Sequence, residues 1–210
     1  MAQITIGQAL DAAIQQHQAG RLPQAENLYR QILAQQPNDA DALHLLGLIA
    51  HQTGRNDDAV ELIRKAIAFK PDWPEALGNL GVVLLAQGHF EQAIASQRQA
   101  IELNPKWPDA HFNLGNALKG VGRLDEAINA YTQAVTLKPD WPEAHRNLGV
   151  ALHSKGCLKE AIASYRRALA LRGDLPHTWY NLQIAVSEKL GVGPPRGSPR
   201  SLQNEAGKPI

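Results

Sequence analysis

The apolar positions of this chain carry two superimposed periods. Over short stretches they follow a helix: Leu77, Leu80, Gly81 and Leu84 fall on one stripe at 100° per residue. Gly88 and His89 separate that stripe from a second one holding Ala93, Ile94 and Ala100. Over longer distances the whole arrangement returns every 34 residues. Gly47, Gly81, Gly115 and Gly149 keep the spacing without a slip, as do Gly54, Gly88, Gly122 and Gly156, and Ala59, Ala93, Ala127 and Ala161. A fixed period of this length marks an array whose units bury their apolar faces against their neighbours rather than in one closed core. The expected fold is all-α, a solenoid of antiparallel helix pairs with units at 6–39, 40–73, 74–107, 108–141 and 142–175.

Each unit reads as helix A, a tight turn and helix B. In the third unit the expected bounds are 74–87 for helix A and 90–103 for helix B. Pro74 suits a first helical turn, where its missing N–H has no helical partner to lose. Glu75 lies near the positive end of the helix dipole. Gly88 follows helix A, where a left-handed residue closes the last turn, and Pro105 stops helix B. Gly173 replaces that stop proline in the fifth unit. The first unit, with helices expected at 6–19 and 23–36, is the least regular: Ala13 replaces the seam glycine and Gln16 an apolar residue. A water-facing terminal unit or a specialised site both fit that irregularity. Trp73, Trp107 and Trp141 recur at the joints between units, where they serve either as packing mortar or as stacking surface for a ligand. A lone helix expected at 176–190, with Trp179, Leu182 and Val186 at the apolar phase, reads as a C-terminal cap. Residues 1–5 read as a frayed lead. Residues 191–210, rich in Gly, Pro and Ser, read as a disordered tail.

The combination Leu80–Gly81, Ala93, Ala100 and Pro105, repeated as Leu114–Gly115, Ala127, Tyr131, Ala134 and Pro139, resembles the tetratricopeptide repeats (TPR). The resemblance runs from about residue 6 to residue 191, about five repeats and the capping helix. It implies a right-handed superhelix in which helix A lines a concave groove.

Composition narrows the chemistry. Apolar content is 44% and charged content 20%, ordinary for a folded soluble chain. A net charge of +1 gives no field that would draw nucleic acid or an anionic membrane, so neither is an expected partner. The single cysteine, Cys157, excludes an internal disulfide. No secretory leader or membrane-length apolar run is visible, and the expected location is the cytoplasm. There is no HExxH, GxSxG, phosphate-binding loop or CxxC pair, so no catalytic residue, metal or cofactor is expected. His44 and His51 are seven apart on one helical face with no third ligand in sequence; His111 and His145 share a repeat position expected to be packed. Asp57 with Asp58, and Asp125 with Glu126, open B helices where carboxylates favour the dipole.

One polar series recurs. Asn79, Asn113, Asn147 and Asn181 keep the 34-residue spacing, each two positions after Leu77, His111, His145 or Trp179. That offset is about 200° round helix A, so the asparagines are expected to face away from the A–B seam. An amide carries two donors and an acceptor, and a row of them is able to hold the backbone of an extended peptide. Duplication of a tolerated surface residue also accounts for the row. Phe112, Arg146 and Tyr180 flank the asparagines and Asn116 lies on the same face, which makes them candidate anchors and selectivity residues.

Three functions fit. The first is a non-catalytic scaffold that holds a protein or peptide ligand in the concave groove. In the second, the Asn within xxNLGxxL resembles the repeat region of O-linked N-acetylglucosamine transferases. That likeness implies a substrate selector for a transferase, here without a nucleotide-sugar site after Gly191. The third is a chaperone adaptor. Family members of that kind use Lys and Arg beside Asn, whereas the comparable positions here hold Gly78, Phe112, Glu143 and His177, with only Arg146 cationic.

Overall fold

The computed structural model describes residues 5–192; the expected lead, apart from Thr5, and the expected tail beyond Val192 lie outside the described residues. Among the described residues there are eleven helices and no strand. In order they are α1 (Ile6–Gln18), α2 (Leu22–Gln35), α3 (Ala40–Gln52), α4 (Asn56–Phe69), α5 (Pro74–Ala86) and α6 (Phe90–Leu103). They continue as α7 (Pro108–Gly120), α8 (Leu124–Leu137), α9 (Pro142–Ser154), α10 (Leu158–Leu171) and α11 (Pro176–Leu190). The odd-numbered elements are the A helices and the even-numbered ones the B helices. The chain forms two compact units, Met1–Lys106 and Trp107–Ile210.

Local chemistry sets the helix ends. Thr5, expected in the frayed lead, is the N-cap of α1 and shares a capping box with Gln8. Asp39 caps α3 by accepting from the N–H of Ala42 at 2.8 Å. At the end of α5 the Gly88 N–H donates to Leu85 O at 3.0 Å and the His89 N–H to Leu84 O at 2.9 Å. These two bonds close a Schellman turn, which needs the left-handed backbone that Gly88 adopts with φ 76°. The same residue type and conformation recur at Gly54, Gly122 and Gly156. Gln87, expected inside helix A, is the C-cap instead.

Each helix pair closes over a small residue. A Cβ added to Gly115 would sit 2.6 Å from the Tyr131 ring, so the ring lies directly on the glycine backbone. Gly149 relates to Tyr165, and Gly47 to Ile63, in the same way. In the third pair the opposing side chain is Gln97, which is fully buried and donates Nε2–H to Gly78 O at 2.9 Å. Its Oε1 has no partner. Ala93, Ile94 and Ala100, the expected seam of that pair, are buried beside it.

Between pairs, the B helix packs on the following A helix, as in α2–α3, α4–α5, α8–α9 and α10–α11. The A helices also meet directly, α3 against α5 and α7 against α9. In the first unit Ala13, Tyr29, Ile32 and Leu46 share one core across α1, α2 and α3. In the second, Leu182 and Ala185 of α11 bury Ile162 and Tyr165 of α10. Trp179, expected at the apolar phase of α11, is 52% exposed, and the fully buried residue beside it is Thr178. No B helix follows α11 among the described residues to cover that position, and the indole N–H donates instead to Gly173 O at 3.1 Å.

Candidate functional site

The joint tryptophans anchor the A-helix faces. Trp141, the N-cap of α9, stacks on Phe112 of α7 with ring centroids 4.6 Å apart, and Lys138 Nζ lies 4.9 Å from its centroid. Trp73, the N-cap of α5, repeats the arrangement with His44 of α3 at 4.5 Å and Lys70 Nζ at 4.1 Å. Both indoles thus pack at a joint between successive helix pairs.

The asparagine series divides in two. Asn79 is half-buried, with Nδ2 3.0 Å from His44 Nε2. Asn147 is 7% exposed and donates Nδ2–H to Asn116 Oδ1 at 2.9 Å. Asn116 also accepts from the Tyr131 hydroxyl at 2.7 Å, so this candidate residue holds α7, α8 and α9 together. Two members of the row, Asn79 and Asn147, thus bond from one A helix to another. The 200° offset is counted from the A–B seam, and the direct contacts α3–α5 and α7–α9 place this position at an A–A boundary. Asn113 and Asn181 are half-buried, and their amides make no side-chain hydrogen bond among the described residues. Tyr180, beside Asn181, and Phe112, beside Asn113, are also half-buried.

Charge is distributed unevenly on these faces. His44 is buried, and desolvation pushes its pKa down to about 4, so it is neutral at pH 7. On the α7–α9 face, Lys119 and Arg146 are half-buried and make no ion pair among the described residues. Burial, and then the Arg146 charge, lower the Lys119 pKa. Tyr131 and Tyr165 are held well above the ordinary phenol range by burial, against the opposing pull of Arg146. Lys119 escaped the reading of the chain, although it lies three residues, about one helical turn, after Asn116. Gln97 escaped it because its position elsewhere holds Ile63, Tyr131 and Tyr165.

Other chemistry is sparse. No group of three His, Cys, Asp or Glu residues able to hold a metal occurs among the described residues. Cys157, half-buried, is the N-cap of α10. His145 places Nε2 3.0 Å from Pro139 O. A cleft of about 580 Å³ beside α4, α5 and α6 is lined by Arg64, Gln87 and Gln92, with Leu84 buried beneath. Its polar groups satisfy one another, Arg64 donating to Gln92 and Gln87 to Asp57, each at 2.7 Å. No helix among the described residues is long and apolar enough to cross a membrane.

No curated protein matches the chain. Solved structures do. MamA is 27% identical with a TM-score of 0.72, over 79% of this chain and 96% of that one. A point mutant of MamA is 30% identical with a TM-score of 0.69 over the same shares. YrrB, described as a TPR protein with an unusual peptide-binding site, is 22% identical with a TM-score of 0.72, over 82% of this chain and 89% of that one. The likeness to YrrB concerns the fold, a TPR-like solenoid. Models of the tetratricopeptide repeat match residues 10–74 and 112–176, and a further TPR model matches 83–122. The 34-residue period, the left-handed turn glycines and the glycine-on-ring seams are thus those of the tetratricopeptide repeat family, to which this chain belongs.

Proposed function

We propose that this chain is a non-catalytic protein-interaction scaffold that holds an extended peptide or protein segment along its A-helix faces. The observation that carries this reading is the division of the asparagine series. Asn79 and Asn147 are committed to bonds between A helices. Asn113 and Asn181 keep half-buried amides with unused donors and acceptors. Both amides reach solvent, and a peptide backbone bonding to their donor and acceptor groups would take the place of water there. Phe112 and Tyr180, next to these amides in the chain, and Arg146, next to Asn147, stand as anchors for side chains. The peptide-binding site ascribed to YrrB, a protein of the same fold, agrees with this use.

Affinity capture from a cell lysate tests the reading, comparing the wild-type chain with an Asn113→Ala/Asn181→Ala double variant. Neither substitution removes an internal bond, so the variant keeps its helical circular dichroism. Partners retained by the wild type and lost by the variant support the reading. An identical partner set for both proteins overturns it.

Within the same reading α11 is a cap, since Leu182 and Ala185 cover Ile162 and Tyr165. Deleting residues 176–190 should expose that surface and drive self-association in analytical ultracentrifugation; a truncated chain that stays monomeric and equally stable removes the assignment. A second reading, substrate selection for a transferase acting in trans, is favoured by the recurrence of Asn within NLG in three A helices. Recovery of a nucleotide-sugar-dependent transferase among the captured partners is the result that would raise it above the first.

A further inference from the structure

We infer that the α7–α9 face binds an internal acidic side chain of the partner segment, with the Asp or Glu carboxylate seated between Lys119 and Arg146. The inference rests on the scaffold reading above and adds the chemistry of the ligand.

Three observations carry it. First, the two cations belong to one small region. Asn116 and Asn147 tie α7 to α9 by a 2.9 Å bond, Lys119 is one turn beyond Asn116 on α7, and Arg146 adjoins Asn147 on α9. Arg146 is near enough for its charge to act on Lys119, Tyr131 and Tyr165. Second, both cations are half-buried and lack an internal counter-charge among the described residues. The nearby carboxylates are engaged elsewhere: Glu143 pairs with Arg172 at 2.7 Å, Glu188 with His153 at 2.8 Å, and Asp125 with Lys155. Asp109 is exposed, at a position about 15 Å along α7 from Lys119. Partly desolvated like charges repel and are normally paired, so a ligand carboxylate is the group that completes this arrangement. Third, the neighbouring groups suit an extended chain. The Asn113 amide is unpartnered, and the stacked Phe112–Trp141 rings give an apolar surface beside the charged one. The cleft beside α4 and α6 is the contrast, because its charged and amide groups are already bonded to one another.

The positions differ from a grip on a chain terminus by cations at the start of the A helices, where this chain carries Glu75, Asp109 and Glu143. The inferred occupant is therefore an Asp or Glu within the segment rather than a terminal carboxylate.

The test is selection of a displayed random 12-residue peptide library on the full chain, followed by titration of selected peptides with amidated C-termini. Selected peptides should be enriched in Asp or Glu. Changing the enriched acid to Gln or Asn should weaken binding about tenfold or more, and Arg146→Gln or Lys119→Gln should weaken it comparably. The double reversal Arg146→Glu/Lys119→Glu should turn the selection towards basic peptides. Removing mutually repelling cations should leave the thermal midpoint of the Gln variants unchanged or higher, which separates lost recognition from lost folding. Peptides that bind, lose affinity with Asn113→Ala, and yet show no acidic enrichment and no response to Arg146→Gln overturn this inference while sparing the scaffold reading. Affinity that depends only on a free C-terminus also overturns it. Failure to select any peptide sensitive to Asn113→Ala overturns both.

Discussion

The α3–α5 face and the α7–α9 face occupy the same repeat positions and share a frame, a tryptophan at the joint with a lysine over its ring and an A-helix ring packed against it. They differ in what fills the frame. On the first, His44 is buried and neutral, Asn79 bonds to it, and Gly78 stands where α7 carries Phe112 and α9 carries Arg146. Its polar groups close on one another. On the second, Asn116 and Asn147 close on each other, but Lys119, Arg146 and Asn113 are left without partners. Repetition of the backbone therefore does not repeat the surface. A repeat array tolerates such variation because each unit depends only on its neighbours, so a costly polar group in one pair does not propagate to the others.

The comparison is sharpest where the seams are altered. Tyr131→Ala should cost about 3–5 kcal/mol by opening a cavity over Gly115, because Tyr131 is fully buried on that glycine. Gln97→Ala, at the same position of the third pair, should cost less, since it also removes an unpartnered Oε1. Urea unfolding midpoints decide this, and equal losses would show that the two seams are energetically alike.

The next effect separates the faces by pH. Folded His44 binds its proton only near pH 4, whereas the unfolded side chain binds it near 6.5. The unfolded state therefore takes up the proton first as pH falls. His44's contribution to stability is fully present above about 6.5 and is lost towards about 4, a change of roughly 3 kcal/mol. His44→Phe, which copies Phe112, should flatten that part of the stability–pH curve. An unchanged slope would mean that His44 is not the group responsible.

Smaller still is the glycine effect. Gly115→Ala drives a methyl into a packed ring and should cost about 1–3 kcal/mol. Gly81→Ala meets the single, unbranched Gln97 side chain rather than a rigid ring, so its cost should be lower even though moving that amide gives up its bond to Gly78 O. Ala13, in one core with fully buried Tyr29, shows that a pair can admit a methyl at this position. A larger loss at Gly81 than at Gly115 would contradict this ordering.

The smallest expected effect is that of a single hydroxyl. Tyr131→Phe removes a 2.7 Å bond to Asn116 and should cost about 1 kcal/mol. Tyr165→Phe should be neutral or slightly stabilising, because Val150 stands where α7 has Asn116 and the Tyr165 hydroxyl has no partner. Thermal midpoints that move equally in the two variants would rule out the Asn116 bond as the cause.

Much of the fold was legible in the chain. Helix pairs, left-handed turns and seam glycines follow from the 34-residue period and from residue types whose effect is local: Gly88 at positive φ, Pro74 at a helix start, Gly115 under a ring. The candidate site was legible as a series of positions but not as a set of bonds. Asn79, Asn113, Asn147 and Asn181 look identical in the sequence, and Lys119 looks like any solvated cation. The contact of α7 with α9 decides which amides are committed and which cations are half-buried without a counter-charge. That contact joins residues 31 apart through the packing of whole helix pairs. A helical wheel describes one helix and its immediate seam, whereas polar satisfaction at an A–A boundary depends on the distance and angle between pairs. The sequence by itself determined the repeat and its helices, because these are local consequences of periodicity and backbone preference. Only the tertiary structure decided which polar side chains are left free to bind, because that depends on neighbours a full repeat away.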